Sequence, residues 1–116
     1  MAQHNDVGRL GEELARAFLI GKGHQLLHSN FRMGHAEVDL ITIHNNRLVF
    51  TEVKTREAKS YYYPEESVDA HKEKMLIDTM ELFLEDNGID LEPRFDIIAV
   101  RINGPDHEIY HFEDAF

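Results

Sequence analysis

The first part of the chain shows apolar residues at the spacing of one helix face. Between about residues 7 and 22 they fall three or four positions apart, at Val7, Leu10, Leu14 and Phe18. This period predicts an amphipathic helix, and Gly21 and Gly23 indicate its end. A second helix is predicted from about Ser67 to Asp86, where Asn87-Gly88 is a typical stop.

Shorter apolar runs predict the strands. They lie at residues 25–28, 37–43, 47–54 and 94–102, and residues 108–112 predict a returning edge strand. The resulting order, α-β-β-β-α-β(-β), predicts an α/β fold in which a central mixed sheet is flanked by helices. With 116 residues, the chain fits one domain spanning residues 1–116.

A turn at Asn45-Asn46 predicts a hairpin between the second and third strands, because asparagine tolerates left-handed dihedral angles. Residues that oppose each other then have numbers that add up to 91. In that register Asp39 faces Glu52 and Glu37 faces Lys54. Side chains alternate between the two faces of a strand, so all four are expected on one side of the hairpin.

Directly opposed carboxylates repel and destabilise a sheet unless something compensates. Lys54 is one compensation, and a divalent cation held by Asp39 and Glu52 is another. Magnesium, or manganese in its place, suits the second option, since magnesium binds through one or two carboxylates and keeps several waters. The alternative is an exposed cross-strand cluster of ion pairs with little energetic effect.

Charge is unevenly distributed along the chain. The net charge of −10 is unfavourable for a nucleic-acid partner, but residues 1–56 carry seven Lys and Arg against six Asp and Glu, a net of +1. Residues 57–116 carry five against sixteen, a net of −11, which suits a protein partner. The chain has no cysteine, which excludes disulfides and thiolate metal sites. A polar N-terminus without a signal peptide, and no apolar run of spanning length, predict a cytoplasmic protein away from membranes.

Asp39 followed thirteen residues later by Glu52-Val53-Lys54 resembles the PD-(D/E)XK nuclease motif. Nearly the whole chain resembles the YraN-like family of predicted endonucleases. The matching pieces are His4-Asn5, Gly8, Gly11-Glu12, Asn30-Phe31-Arg32, residues 36–41, residues 52–56, Lys72, Arg94-Phe95-Asp96 and Asp114-Ala115-Phe116.

The chain is also similar, more distantly, to archaeal Holliday junction resolvases. These resemblances imply a restriction-endonuclease-like fold, magnesium- or manganese-dependent hydrolysis of DNA phosphodiesters, on branched or processed structures, and a homodimer. They carry metal-ligand roles onto Asp39 and Glu52, a catalytic role onto Lys54, and the catalytic role of a helical glutamate onto Glu12. The structural alternative for Glu12 is an i, i+4 ion pair with Arg16 on the helix surface.

Further candidates are less specific. Arg32, Arg56 and Lys72 are expected to contact phosphates, although a lysine that extends an apolar stripe, as Lys72 does, usually snorkels to solvent. Tyr61-Tyr62-Tyr63 is either a base-stacking segment or a loop packed on its own domain. The eight histidines show no zinc-ligand spacing. The competing hypothesis for the whole chain is a catalytically silent nuclease-fold module that binds nucleic acid or a protein partner.

Overall fold

Five strands form one mixed sheet with a helix on each side. The computed structural model describes residues 2–34, 36–57 and 70–115. Its elements are α1 (Ala2–Gly21), β1 (Gln25–Met33), β2 (Ala36–His44), β3 (Arg47–Glu57), α2 (Ala70–Asp86), β4 (Glu92–Asn103) and β5 (Asp106–Phe112). The strands lie in sequence order across the sheet. Only β3 and β4 are parallel, because α2 carries the chain back between them. The predicted α/β class and element order are confirmed.

Most predicted boundaries hold to within a few residues, and two elements are longer than predicted. α1 begins at Ala2 instead of about Val7, and β1 continues to Met33 instead of ending at His28. α1 ends as expected, with Gly23 at a φ of 96° and His24 N–H donating to the carbonyl of Leu19. The start predicted for the second helix, at about Ser67, lies outside the described residues.

Two apolar clusters cover the two faces of the sheet. The helix α2 packs Leu76, Met80 and Phe83 against a cluster that includes Phe50 and Ile97. On the other face, α1 packs Ala15 and Leu19 against Leu40, Ile98 and Val100. Ile97 and Ile98 are adjacent in β4 and lie in different clusters, as strand alternation requires. Because both faces of its centre are covered, the sheet exposes polar positions mainly at its edges and strand ends.

The approach of α1 to β3 depends on Gly11. A Cβ atom added at Gly11 would overlap the side chain of Thr55, with Thr55 Cγ2 at 2.7 Å and Thr55 Cβ at 2.8 Å. Glycine therefore lets the helix backbone lie directly on the strand. This contact brings the next residue of α1, Glu12, close to the sheet.

Candidate active site

The β2–β3 hairpin has the predicted register. Asn45 and Asn46 both adopt left-handed conformations, with φ of 52° and 61°. Five residue pairs whose numbers add up to 91 follow, from His44 with Arg47 to Leu40 with Thr51. The hairpin prediction is therefore confirmed over the length of this ladder.

The ladder stops at Leu40 and Thr51, one pair before Asp39 and Glu52. At this point the Asp39 carboxylate takes the place of a backbone acceptor, since its Oδ2 accepts a hydrogen bond of 2.7 Å from Val53 N–H. The alternation of side chains between the two faces of β2 is also broken here. Val38 and Leu40 are two positions apart and would share a face in a regular strand, but Val38 packs with Ile41 in the apolar cluster under α2, and Leu40 packs in the cluster under α1. The hairpin thus opens at the carboxylates, and the backbone of β3 fixes the orientation of Asp39.

The ion pairs of the opened end differ in part from the prediction. Lys54 Nζ lies 3.1 Å from Glu52 Oε1, so the lysine compensates a carboxylate, as expected. The prediction that Glu37 faces Lys54 is wrong. Arg32 NH2 donates to Glu37 Oε2 at 2.7 Å, because β1 pairs with β2 here and aligns these two residues. The side chains of Lys54 and Glu52 are only 17% and 15% exposed, whereas Arg32 is 73% exposed. The Lys54–Glu52 pair is thus partly buried, and it is not the exposed surface ion pair that the alternative interpretation predicts.

Negative charge accumulates around Asp39. Burial raises the pKa of Asp39 from 3.8 to about 6; the hydrogen bond from Val53 opposes this rise, and the nearby carboxylates of Glu12, Glu52 and Glu37 add to it. The pKa of Glu12 is raised as well, by burial and by Glu37, although Asn30 donates a hydrogen bond to its carboxylate. The helical Glu12 therefore belongs to the same electrostatic group as the strand carboxylates.

The remaining predicted residues are less closely tied to this group. Arg56 NH1 donates to the carbonyl of Thr55 at 2.7 Å. Arg32 lies at the rim through its pair with Glu37. The side chain of Lys72, together with His35 and the Tyr61-Tyr62-Tyr63 segment, lies outside what the structure describes.

The donor set matches a hard divalent cation better than zinc. Among the residues whose side chains are described, no three histidine or carboxylate groups lie together as a metal site. Magnesium does not require three, since one or two carboxylates plus water suffice. Asp39 and Glu52 supply two carboxylates that lie close enough to repel, and a bound cation would relieve that repulsion.

A second polar cluster, at the turn end of the hairpin, escaped sequence reasoning. Asp96 is fully buried and accepts from Arg94 Nε and NH2 at 2.9 and 2.8 Å, from His111 Nε2 at 2.7 Å and from Asp114 N–H at 3.1 Å. The His24 ring stacks on His44, with centroids 4.1 Å apart. These residues come from β2, β4 and β5 and from the segments before β1 and after β5, so no local spacing indicates them; only the Arg94-Phe95-Asp96 and Asp114-Ala115-Phe116 pieces of the family resemblance do. The network binds residues 114 and 115 to β4.

Within the part of the chain that the structure describes, neither helix has the length and apolar character needed to cross a bilayer. Comparison with known proteins gives a match to the family described as Uncharacterised protein family UPF0102 over residues 11–100. A UPF0102 protein of Flavobacterium psychrophilum is 42% identical over 116 residues, covering 100% of this chain and 98% of the relative. One from Syntrophotalea carbinolica is 39% identical over 115 residues, covering 98% and 94%. One from Chloroherpeton thalassium is 41% identical over 120 residues, covering 94% and 92%. The YraN-like resemblance is thereby confirmed, and the chain belongs to the UPF0102 family.

Proposed function

We propose that the protein is a metal-dependent nuclease of the restriction-endonuclease-like fold that hydrolyses DNA phosphodiesters. The observation that carries the proposal is the opened hairpin end, where Asp39 is fixed by Val53 N–H beside the partly buried Lys54–Glu52 pair. A carboxylate whose pKa is raised by burial, and further by its carboxylate neighbours, is costly for a fold. Such a cost is typical of functional sites.

Asp39 and Glu52 are the proposed ligands of magnesium or manganese. Both supply hard oxygen donors from adjacent strands, and a cation between them would offset their repulsion. When bound, such a cation polarises a phosphoryl oxygen and makes its bound water a better nucleophile. Hydrolysis breaks the bond between phosphorus and the 3′ oxygen, adds water, and leaves a 3′-hydroxyl and a 5′-phosphate.

The protein's own residues have separate roles in this proposal. Asp39 is held in one orientation by its hydrogen bond to β3, which preorganises the site. Lys54, held by Glu52, would stabilise negative charge that develops on the phosphate. Glu12 approaches from α1 because Gly11 allows close packing, and its pKa, raised by burial, favours a role in proton transfer over a role as a permanently charged group.

A cleavage assay tests the proposal. Linear, flapped and four-way-junction DNA would each be incubated with magnesium, manganese or a chelator, using the native chain and an Asp39→Asn variant. The matched control is Asp78→Asn, which removes the same charge from an exposed residue of α2 that pairs with Lys74 at 3.3 Å. We expect metal-dependent cutting by the native chain and the control, and loss of at least 100-fold in the variant.

Metal binding is measured separately by thermal shift and by titration calorimetry. Magnesium or manganese should stabilise the native chain and the Asp78→Asn control, but not Asp39→Asn. If the native chain neither binds metal nor cuts any of the substrates, the nuclease proposal fails. In that case the alternative, a non-catalytic module, becomes the better hypothesis, and the acidic residues 57–116 are where a protein partner should be sought.

A further inference from the structure

A cleft of about 170 Å³ opens between α1 and the edge strand β1, next to the candidate site. Leu40, the residue that follows Asp39, is among its lining residues. Four residues of α1 and two of β1 also line it, namely Arg9, Glu12, Glu13, Arg16, Ser29 and Asn30. The cleft therefore leads from the carboxylate group around Asp39 to two arginines on the surface of α1.

The four α1 residues follow the i, i+3, i+4, i+7 pattern of a single helix face. Arg9 and Arg16 stand at its two ends, about 10 Å apart along the axis, with the two glutamates between them. This spacing would permit i, i+4 pairs of Arg9 with Glu13 and of Glu12 with Arg16. Neither pair forms among the described side chains. Arg9 instead contacts Asp6 at 3.7 Å and is 68% exposed, while Glu12 accepts from Asn30.

Two guanidinium groups thus remain available at the ends of a cleft that leads to the candidate site. An exposed ion pair such as Arg9–Asp6 contributes little and yields to a stronger anion. Guanidinium suits phosphate because its planar donors match two phosphate oxygens. The cleft also belongs to residues 1–56, where the net charge is +1, and not to residues 57–116, where it is −11.

We propose that this cleft binds the phosphodiester backbone of a nucleic-acid strand, with Arg9 and Arg16 contacting two phosphates of that strand. The inference rests on the proposed nuclease function and names the surface that would guide the strand to Asp39. Glu12 and Glu13 repel phosphate, so the two contacts lie at the ends of the cleft and the strand spans its centre.

Fluorescence anisotropy in chelator measures this binding without cleavage. The probes are labelled 20-nucleotide DNA and RNA of the same sequence, each single-stranded and as a duplex. The test variant is the double substitution Arg9→Gln and Arg16→Gln. Its control is Arg47→Gln with Lys74→Gln, which removes the same charge from two other exposed positions, where the side chains pair with Glu92 and Asp78. Circular dichroism and a melting curve confirm that both double variants fold.

We expect the test variant to lose roughly 10- to 100-fold in affinity at about 0.1 M salt, and the control to lose less than threefold. The slope of log affinity against log salt should fall by about 1.4 on single strands and about 1.8 on duplexes, because two phosphate contacts are removed. If the test variant loses affinity for only one of the probes, the proposal is supported, and that probe identifies the preferred sugar (DNA or RNA) and strand form (single-stranded or duplex). Equal affinity of the test variant and the control overturns it.

The result is separable from that of the nuclease proposal. Binding that depends on Arg9 and Arg16, with no cleavage under any metal, supports the cleft and refutes the nuclease. Metal-dependent cleavage with affinity unaffected by the double variant supports the nuclease and refutes the cleft.

Discussion

Replacing Asp39 by Asn removes a partly buried negative charge and leaves an amide oxygen that accepts the hydrogen bond from Val53 N–H. In metal-free buffer we expect this variant to be more stable than the native chain at neutral pH. The pKa of Asp39 is raised from 3.8 to about 6, so the folded state favours the protonated carboxyl. The stability associated with that proton is present in full below pH 3.8 and is lost as the pH rises through about 6.

The magnitude follows from the two pKa values. Their difference corresponds to about 3 kcal/mol at pH 7.5, which is an upper limit because the side chain is only partly buried. An increase of about 1–3 kcal/mol in the free energy of unfolding raises the melting temperature of a domain of this size by roughly 4–12 °C. At pH 4 the native carboxyl is protonated in the folded state, and the advantage of Asp39→Asn shrinks to about 0.5 kcal/mol.

Urea unfolding at pH 4, 6 and 7.5 in the presence of chelator measures this dependence. The Asp78→Asn variant should stay within about 0.5 kcal/mol of the native chain at all three pH values, since its carboxylate is exposed. The reasoning is refuted if Asp39→Asn is less stable than the native chain at pH 7.5, or if its advantage is the same at pH 4.

Three other substitutions test the packing and the second polar cluster. Gly11→Ala should lower the free energy of unfolding by about 2 kcal/mol because the added methyl group overlaps β3. Gly21→Ala, which has open space around it in the same helix, should raise the free energy of unfolding by up to about 1 kcal/mol. Equal shifts of the melting temperature in the two variants would contradict this prediction. Burial and the neighbouring His44 lower the pKa of His24 from 6.5 to about 4, so native stability is complete above pH 6.5 and falls by about 3 kcal/mol towards pH 4. The stability of His24→Gln should lack this pH dependence. If urea unfolding shows the same fall in the free energy of unfolding between pH 6.5 and pH 4 for the native chain and the variant, the prediction is wrong. Asp96→Asn should cost about 3–5 kcal/mol because the buried Arg94 guanidinium loses the carboxylate at 2.8 Å and keeps the longer contact with Glu113 at 3.8 Å, while the exposed Asp106→Asn should cost almost nothing in the same urea assay.

The hairpin shows how far sequence reasoning reaches. A two-residue turn with both residues left-handed determines the register of the strands that it joins, so five residue pairs follow from Asn45-Asn46 alone. Register arithmetic cannot tell where two strands separate. Asp39 leaves the ladder because its side chain binds Val53 N–H, which is an interaction between a side chain and a backbone group that no periodicity encodes.

The partner of Glu37 was missed for a different reason. It depends on β1, whose pairing with β2 shifts between Leu26 and His28 and whose Asn30 has a φ of 53°. A short apolar run at residues 25–28 gives no indication of these irregularities. The beginning of α1 was missed because residues 2–6 include too few apolar side chains to show a helical period.

The irregular backbone of β1 also bears on how copies of this sheet can meet. β1 and β5 are the two edges, and an unpaired edge invites another strand to add to it. The shifted register and the left-handed Asn30 interrupt the row of N–H and C=O groups along β1, which makes it a poor template for self-association. β5 pairs with β4 through seven consecutive residues without a break in register. Any fibre-like or sheet-extending contact is therefore directed to β5, on the side of the molecule away from the cleft at β1.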